Sequence, residues 1–451
     1  MQARPRFFVN CLLSFGFCQK KSLILFAYMQ NLLYLCTLFG IVYMFFYFLL
    51  IRIAALFGHR KARLIVAGQK DALSDQLAQY KGCIWIHVSS VGEFEQARPL
   101  IERLKENGEK RKIFLTFFSP SGYELRKNYD KVDAVRYLPF ATRRNARRFL
   151  DLLQPSIAIF VKYEFWPAYL RELHKRAIPT YSISAIFREK QLFFRPWGGW
   201  YRRLLTYFTH IYVQNEASKA LLEKYGIAQV SVAGDTRFDR VRTVMINAQT
   251  TNAERLAPIR EFTERCERVI VAGSSWPQDE KLLVRYIETH PDVKLILVPH
   301  EIDEPHMHFI FNLLQGRFVR YSALHAQHST VVRRSLMQHM NVMVIDTIGL
   351  LSSIYQVCQV AYIGGGFGVG IHNTIEAAVY GVPVIFGPNY SHFREAKGLI
   401  AAGAARSISS YHELESALDT ALDQYTEIGA KAAEYVAAET GATDKIYKDL
   451  F

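Results

Sequence analysis

From about residue 80 onward, short apolar runs alternate with stretches whose apolar side chains recur at helical spacing. Residues 83–88 (CIWIHV) read as a strand. After a Ser89-Ser90-Val91-Gly92 turn, Phe94, Ala97, Leu100, Ile101 and Leu104 mark one face of a helix. Strand-like runs return at 112–118, 134–138, 156–161, 180–183, 210–213 and 230–233, with helical segments between most of them. This rhythm predicts a parallel sheet wound by helices on both faces. Residues 241–265 are polar and lack strand character, and they predict a hinge. A second series then begins, with runs at 268–272, 294–298, 342–345, 360–363 and 382–386. The expected fold is α/β: two doubly wound Rossmann-like domains, 52–240 and 266–451, facing each other across a cleft. Ligands of such sheets sit beyond the C-terminal strand ends, so the loops there are where chemistry is sought.

The hydropathy of the N-terminus differs from this alternation. Residues 31–51 form a nearly continuous apolar stretch ending at Arg52. About 20 such residues make a helix of roughly 30 Å, long enough to cross a bilayer core. The expectation is one transmembrane anchor at 31–51, preceded by an N-terminal extension, 1–30, in which residues 1–28 lie upstream of Met29 as an alternative start. Arg52, Arg60, Lys61 and Arg63 follow the run and would hold its C-terminal side in the cytoplasm, although Lys20 and Lys21 on the other flank weaken that orientation.

Composition narrows the class. A chain of 451 residues, half of them hydrophobic, buries more than one core and is not disordered. Its six cysteines are widely spaced with no Cys-x-x-Cys pair, which argues for reduced thiols rather than a disulfide scaffold or a zinc site. A net charge of +14 points to an anionic partner: nucleic acid, a membrane surface or a phosphorylated substrate.

Four segments could carry chemistry. In the loop after the first strand, Gly92 would let the backbone approach a ligand. Glu93 falls at a helix N-terminus, where the dipole favours an ionised carboxylate suited to a general base. Acidic residues there also commonly just cap the helix, and on residue chemistry alone capping is the better reading. Residues 364–376 hold five glycines within seven positions, followed by His372-Asn373-Thr374-Ile375-Glu376. Such a loop can present N–H groups to a phosphate, with Glu376 accepting from ribose hydroxyls; no lysine makes it a P-loop. Residues 300–308 contain His300, His306 and His308 among acids, but also an ordinary acidic, proline-initiated helix start. No Asp-x-Asp pair occurs, so a metal-independent reaction without cofactor is expected. Finally, arginines and aromatics interleave from Phe187 to Arg203, fitting a membrane interface, single-stranded nucleic acid or a solvated basic helix.

Taken in order, these motifs resemble the 3-deoxy-D-manno-octulosonic acid (Kdo) transferase family of lipopolysaccharide assembly, from near Met29 to the C-terminus. Ser90-Val91-Gly92-Glu93 with Pro99-Leu100-Ile101 resembles the family's catalytic loop. Ser119-Pro120-Ser121-Gly122 is similar to its Thr-Pro-Thr-Gly turn, and Glu164-Phe165-Trp166-Pro167 to its Glu-Leu-Trp-Pro segment. Gly234 to Asp239 resembles Gly-Asn-Leu-Lys-Phe-Asp, and Ala272-Gly273-Ser274-Ser275 resembles Ala-Gly-Ser-Thr. His372 to Glu376 resembles His-Asn-Pro-Leu-Glu, followed by Phe386-Gly387-Pro388.

The resemblance implies an inverting GT-B glycosyltransferase at the cytoplasmic face of the inner membrane. It would move Kdo from CMP-Kdo to a lipid A precursor, with Glu93 as base and Glu164 and Arg237 supporting the transition state. It implies CMP contacts from Ser274, Ser275, Pro299, His300, Ile348, Gly349, Leu350, Gly365, Gly366, His372, Asn373, Thr374, Ile375 and Glu376. Acceptor contacts would come from Ser90, Gly92 and Arg188. The partners implied are CMP-Kdo, the lipid acceptor and membrane lipid, not nucleic acid. The chain departs from the family pattern at Lys162 (many members have an acid), Trp276 (a His is common), His300 (in place of Arg) and Leu350 (in place of Glu). The alternatives are another GT-B lipid-linked sugar transferase, a nucleotide-sugar epimerase, or a membrane-tethered nucleic-acid-binding protein.

Overall fold

The computed structural model describes residues 48–451, apart from Asn252, His328 and Val369. They divide into two compact units, the first ending at Val232 (apart from Arg98–Leu100) and the second starting at Ala233. The first unit contains β1 (Ile84–Val88), β2 (Ile113–Phe117), β3 (Ala134–Tyr137), β4 (Ile157–Val161), β5 (Thr180–Ala185), β6 (His210–Val213) and β7 (Val230–Val232). They form one parallel sheet in the order β3-β2-β1-β4-β5-β6-β7. Every residue of β1, β2 and β4 is buried, as continuous apolar strands covered by helices on both faces must be.

The second unit contains β8 (Val269–Ser275), β9 (Lys294–Pro299), β10 (Val319–Arg320), β11 (Val342–Val344), β12 (Val360–Ile363), β13 (Val384–Phe386) and β14 (Ala405–Ser407). These also form a parallel sheet, ordered β10-β11-β9-β8-β12-β13-β14. The strands that the hydropathy pattern missed, β10 and β14, are the two edges. One is two residues long and the other is not buried, so neither leaves an apolar run.

Strand order fixes where a ligand can enter each unit. In the first sheet the order turns back between β1 and β4, and in the second between β8 and β12. Connections leaving two such strands diverge and open a crevice at their C-terminal ends. The loops concerned begin at Ser89 and Lys162 in one unit, and at Trp276 and Gly364 in the other.

One expectation needs correction, and one falls largely outside the described residues. Residues 241–265 are not a linker: they lie largely in the helices Thr236–Thr251 and Ala253–Thr263, and Leu256, Ile259 and Phe262 are buried in the second unit's core. Arg242, Asn247, Glu254 and Arg260 are exposed on the outer faces of those helices. At the N-terminus, positions 1–47 lie outside the described residues, and with them most of the 31–51 run. No helix among the described residues is long and apolar enough to cross a membrane. The end of the run is not separate from the body. Phe48 is buried and stacks on Phe140 at 4.4 Å, in a cluster against which Ile51, Phe118 and Trp166 pack.

Candidate functional site

The first unit's half-site is built from the β1 and β4 loops. Ser90 ends the strand run in extended conformation and caps the helix Val91–Glu106. Its hydroxyl accepts from the Glu93 N–H, while Glu93 Oε2 accepts from the Ser90 backbone N–H at 2.7 Å and its hydroxyl at 2.6 Å. This is a complete capping box. Capping and chemistry are compatible, because both bonds converge on one oxygen and Oε1 is left for another partner. Gly92 is exposed, and a Cβ there would meet nothing closer than Ser90 Oγ at 3.8 Å, so packing does not require glycine.

Glu164 follows β4 and is nearly buried. Its Oε2 accepts from Trp166 Nε1 at 2.6 Å and lies 3.1 Å from His87 Nε2. Burial pushes its carboxyl upward, but hydrogen bonds from His87, Ser89 and Trp166 outweigh that and hold it below the ordinary range. It is therefore ionised at neutral pH. Lys162, just before it, takes a left-handed conformation (φ 63°), as Ser274 does at the end of β8 (φ 53°). Such strain in non-glycine residues costs on the order of 1 kcal/mol or more and persists where the surroundings enforce it. Arg188 is exposed, with its guanidinium 3.4 Å from the Tyr163 hydroxyl. The aromatic-basic stretch splits in two. Phe193 and Phe194 belong to the core, whereas Leu192 and Trp197 are exposed.

In the second unit, Asp279 ties together the two loops at the strand-order reversal. Its Oδ2 accepts from the N–H groups of Trp276 (3.0 Å) and Gly365 (2.9 Å), and its Oδ1 from the Tyr362 hydroxyl. The glycines have packing reasons as well. A Cβ on Gly364 would lie 2.2 Å from the Ser274 carbonyl oxygen, and one on Gly366 would lie 2.6 Å from the Gly387 backbone. The N–H groups of Gly364, Gly365, Gly368 and Gly370 all bond within the protein. Among the described residues of the loop, this leaves the Gly366 and Phe367 N–H groups for an outside acceptor.

Beside the loop lies a stack of three rings: Trp276 and His300 at 5.0 Å, His300 and His372 at 4.2 Å. Trp276 Nε1–H donates to His372 Nε2 at 3.2 Å. Burial, then the neighbouring His300, depress the His372 imidazole to about 4, so it is neutral and able to accept that bond. Glu376 accepts from the Asn373 amide at 2.8 Å.

Several expected contacts take a different form. Leu350 and Ile375 are fully buried in the core, so they could offer a ligand backbone groups only. The Ser275 hydroxyl is committed to Glu280 at 2.8 Å, and Thr374 is buried. Pro299 ends β9 and is buried, whereas His300 and Ile348 are exposed. Arg237 is held by two carboxylates, Asp235 (2.9 Å) and Glu395 (3.0 Å), which keep its cation charged against the pull of burial. Its guanidinium is an internal ion pair before it is anything else. His306 pairs with buried Glu280 rather than with other histidines. No three His, Cys, Asp or Glu side chains converge as metal ligands among the described residues. His87, Asp279 and Glu280 were missed in the sequence. The first is hidden in an apolar strand run, and the acids read as an ordinary first helical turn.

Comparison with known proteins fits this layout. Residues 59–240 match the family model described as 3-deoxy-D-manno-octulosonic-acid transferase (kdotransferase). The chain is 25% identical over 388 residues to the 3-deoxy-D-manno-octulosonic acid transferase of Rickettsia bellii (strain RML369-C), covering 84% of this chain and 88% of that one. It is likewise 25% identical over 363 residues to that of Aquifex aeolicus (strain VF5), covering 78% and 90%. In fold it is similar to the UDP-GlcNAc 2-epimerase from Neisseria meningitidis bound to UDP-GlcNAc. The TM-score is 0.59 at 15% identity, over 81% of this chain and 99% of that one. Two parallel-sheet units of the GT-B kind, the family match across the first, and relatives that align over most of the chain point one way: the chain is similar, over most of its length, to 3-deoxy-D-manno-octulosonic acid transferases.

Proposed function

We propose that the protein transfers Kdo from CMP-Kdo to a lipid A precursor, with inversion at the anomeric carbon, at the cytoplasmic face of the inner membrane. The observation that carries this reading is the Glu93 carboxylate. One oxygen is fixed by the capping box and the other is left beside an open glycine at the strand-order reversal. An acceptor hydroxyl entering over Gly92 would give its proton to Oε1 as its oxygen attacks the anomeric carbon. The bond from that carbon to the CMP phosphate breaks, and CMP leaves with the electron pair.

Charge develops at both ends of this reaction. Positive charge grows on the sugar ring, and the ionised Glu164 supplies the complementary carboxylate. Negative charge grows on the departing phosphate, for which the free N–H groups of Gly366 and Phe367 and the exposed His300 are the donors. Glu376 would accept from the ribose. Arg237, already balanced by Asp235 and Glu395, would act by holding its segment in place rather than as a net positive charge. The chain carries +14, and its substrates are both anionic. Exposed Leu50, Leu56 and Phe57 lie beside Arg60, Lys61 and Arg63, an apolar and basic combination suited to an anionic bilayer surface. A donor screen tests the assignment: purified protein with lipid A precursor should turn over CMP-Kdo and not UDP-GlcNAc. Turnover of the uridine sugar instead would replace Kdo transfer with another transferase or an epimerase.

A further inference from the structure

His87 sits within the apolar strand β1, fully buried, and the reaction above uses none of its atoms. Both ring nitrogens are bonded: Nε2 lies 3.1 Å from Glu164 Oε2, and Nδ1 lies 2.9 Å from Thr116 Oγ1. The same Thr116 oxygen accepts from the Trp85 indole N–H at 2.9 Å. The rings of Phe160 and Trp166 meet the imidazole edge-on, at 5.8 Å and 6.0 Å between centroids.

The order of protons along this chain can be read from its ends. An indole nitrogen only donates, so Thr116 Oγ1 accepts there and has one proton of its own to give. Its other neighbours are His87 Nδ1 at 2.9 Å and the Ile86 carbonyl at 3.5 Å, and the shorter bond takes the proton. Nδ1 is then an acceptor, which places the ring proton on Nε2, donating to Glu164. We infer that His87 is a positioning residue, a neutral Nε2–H imidazole that fixes the Glu164 carboxylate in the orientation the transfer uses. The inference rests on the reading of Glu164 as part of the site. A neutral ring has a consequence that an imidazolium would not: the negative charge of Glu164 stays unneutralised inside the protein and is directed at the reacting sugar.

The test uses the full-length protein and three variants. His87→Phe keeps the ring volume and removes both nitrogens. It should lower kcat by about tenfold to a hundredfold, as for a misplaced catalytic group, with KM for donor and acceptor within about twofold. His87→Gln returns a donor near the Nε2 position and should recover most of the loss. In a Glu164→Gln background, His87→Phe should cost little further, because the group it positions is already disabled. Nitrogen-15 spectra of the wild-type protein, which need no turnover, should show the Nε2–H tautomer at neutral pH. A folded His87→Phe protein with unchanged kcat would overturn the inference. So would an equal loss in both backgrounds, or an Nδ1–H or imidazolium signature. If the wild-type protein transfers no Kdo, the reading of the reaction fails, while the tautomer still decides the hydrogen-bond order.

Discussion

At the scale of single residues, Glu93 shows how one side chain serves two ends. Glu93→Gln keeps an oxygen able to accept from Ser90, so the capping box and the melting temperature should change little. The amide cannot take a proton, and kcat should fall by about 10²–10⁴. A variant that melts early with normal kcat would mean that the carboxylate only caps. His372 gives a second expectation. Its imidazole is depressed from 6.5 to about 4, so the unfolded chain binds the proton first. The His372 contribution to stability should be flat above pH 6.5 and fall as pH drops toward 4, and the His372 C2–H resonance should not titrate between pH 5 and 8. A midpoint near 6.5 would contradict the stacked, Trp276-bonded geometry. Both residues stood out in the sequence, as did their partners Ser90 and Trp276, but the long-range bonds that hold the loops did not. Ser90 is adjacent in the chain, whereas Asp279 reaches Gly365 and His87 reaches Glu164 across the fold, and no local pattern shows a pairing at that separation.

At the scale of elements, each strand read from hydropathy is present, because buried parallel strands leave continuous apolar runs. Helical segments with strongly polar outer faces were harder to read, and 241–265 passed for a hinge on that account. Leu350 illustrates how an element constrains a site. Restoring the family's acid, Leu350→Glu, would place an unpaired charge in the core, since this position is fully buried. It should destabilise the protein by roughly 3–5 kcal/mol rather than improve donor binding. Chemical denaturation measures the first and CMP titration the second. The N-terminal run is a similar case. Phe48→Ala should cost about 2–3 kcal/mol, and removal of residues 1–51 should reduce activity even in detergent, because Phe48 and Ile51 pack in the cluster that borders Trp166. Removal of 1–47 should spare detergent activity. Equal detergent activity of the two truncations would show that the run serves membrane attachment alone.

For the whole molecule, two parallel sheets with charge +14 describe many proteins that handle anions, and fold alone would not separate a transferase from an epimerase. What favours transfer in the reading proposed above stands at the strand-order reversals: a capped Glu93 on one loop and an ionised Glu164 on the neighbouring one, and a glycine loop tied down by Asp279. EDTA should leave turnover unchanged if the chain's own donors suffice for the departing phosphate. Loss of activity restored by magnesium would show that they do not. The most direct measurement is the mass of the product. The full-length protein, incubated with CMP-Kdo and a lipid A precursor in detergent, should yield acceptor heavier by one or more whole Kdo residues, with CMP released in equal number, and Glu93→Gln should yield almost none. Unmodified acceptor from a folded, CMP-binding wild-type protein would contradict the account.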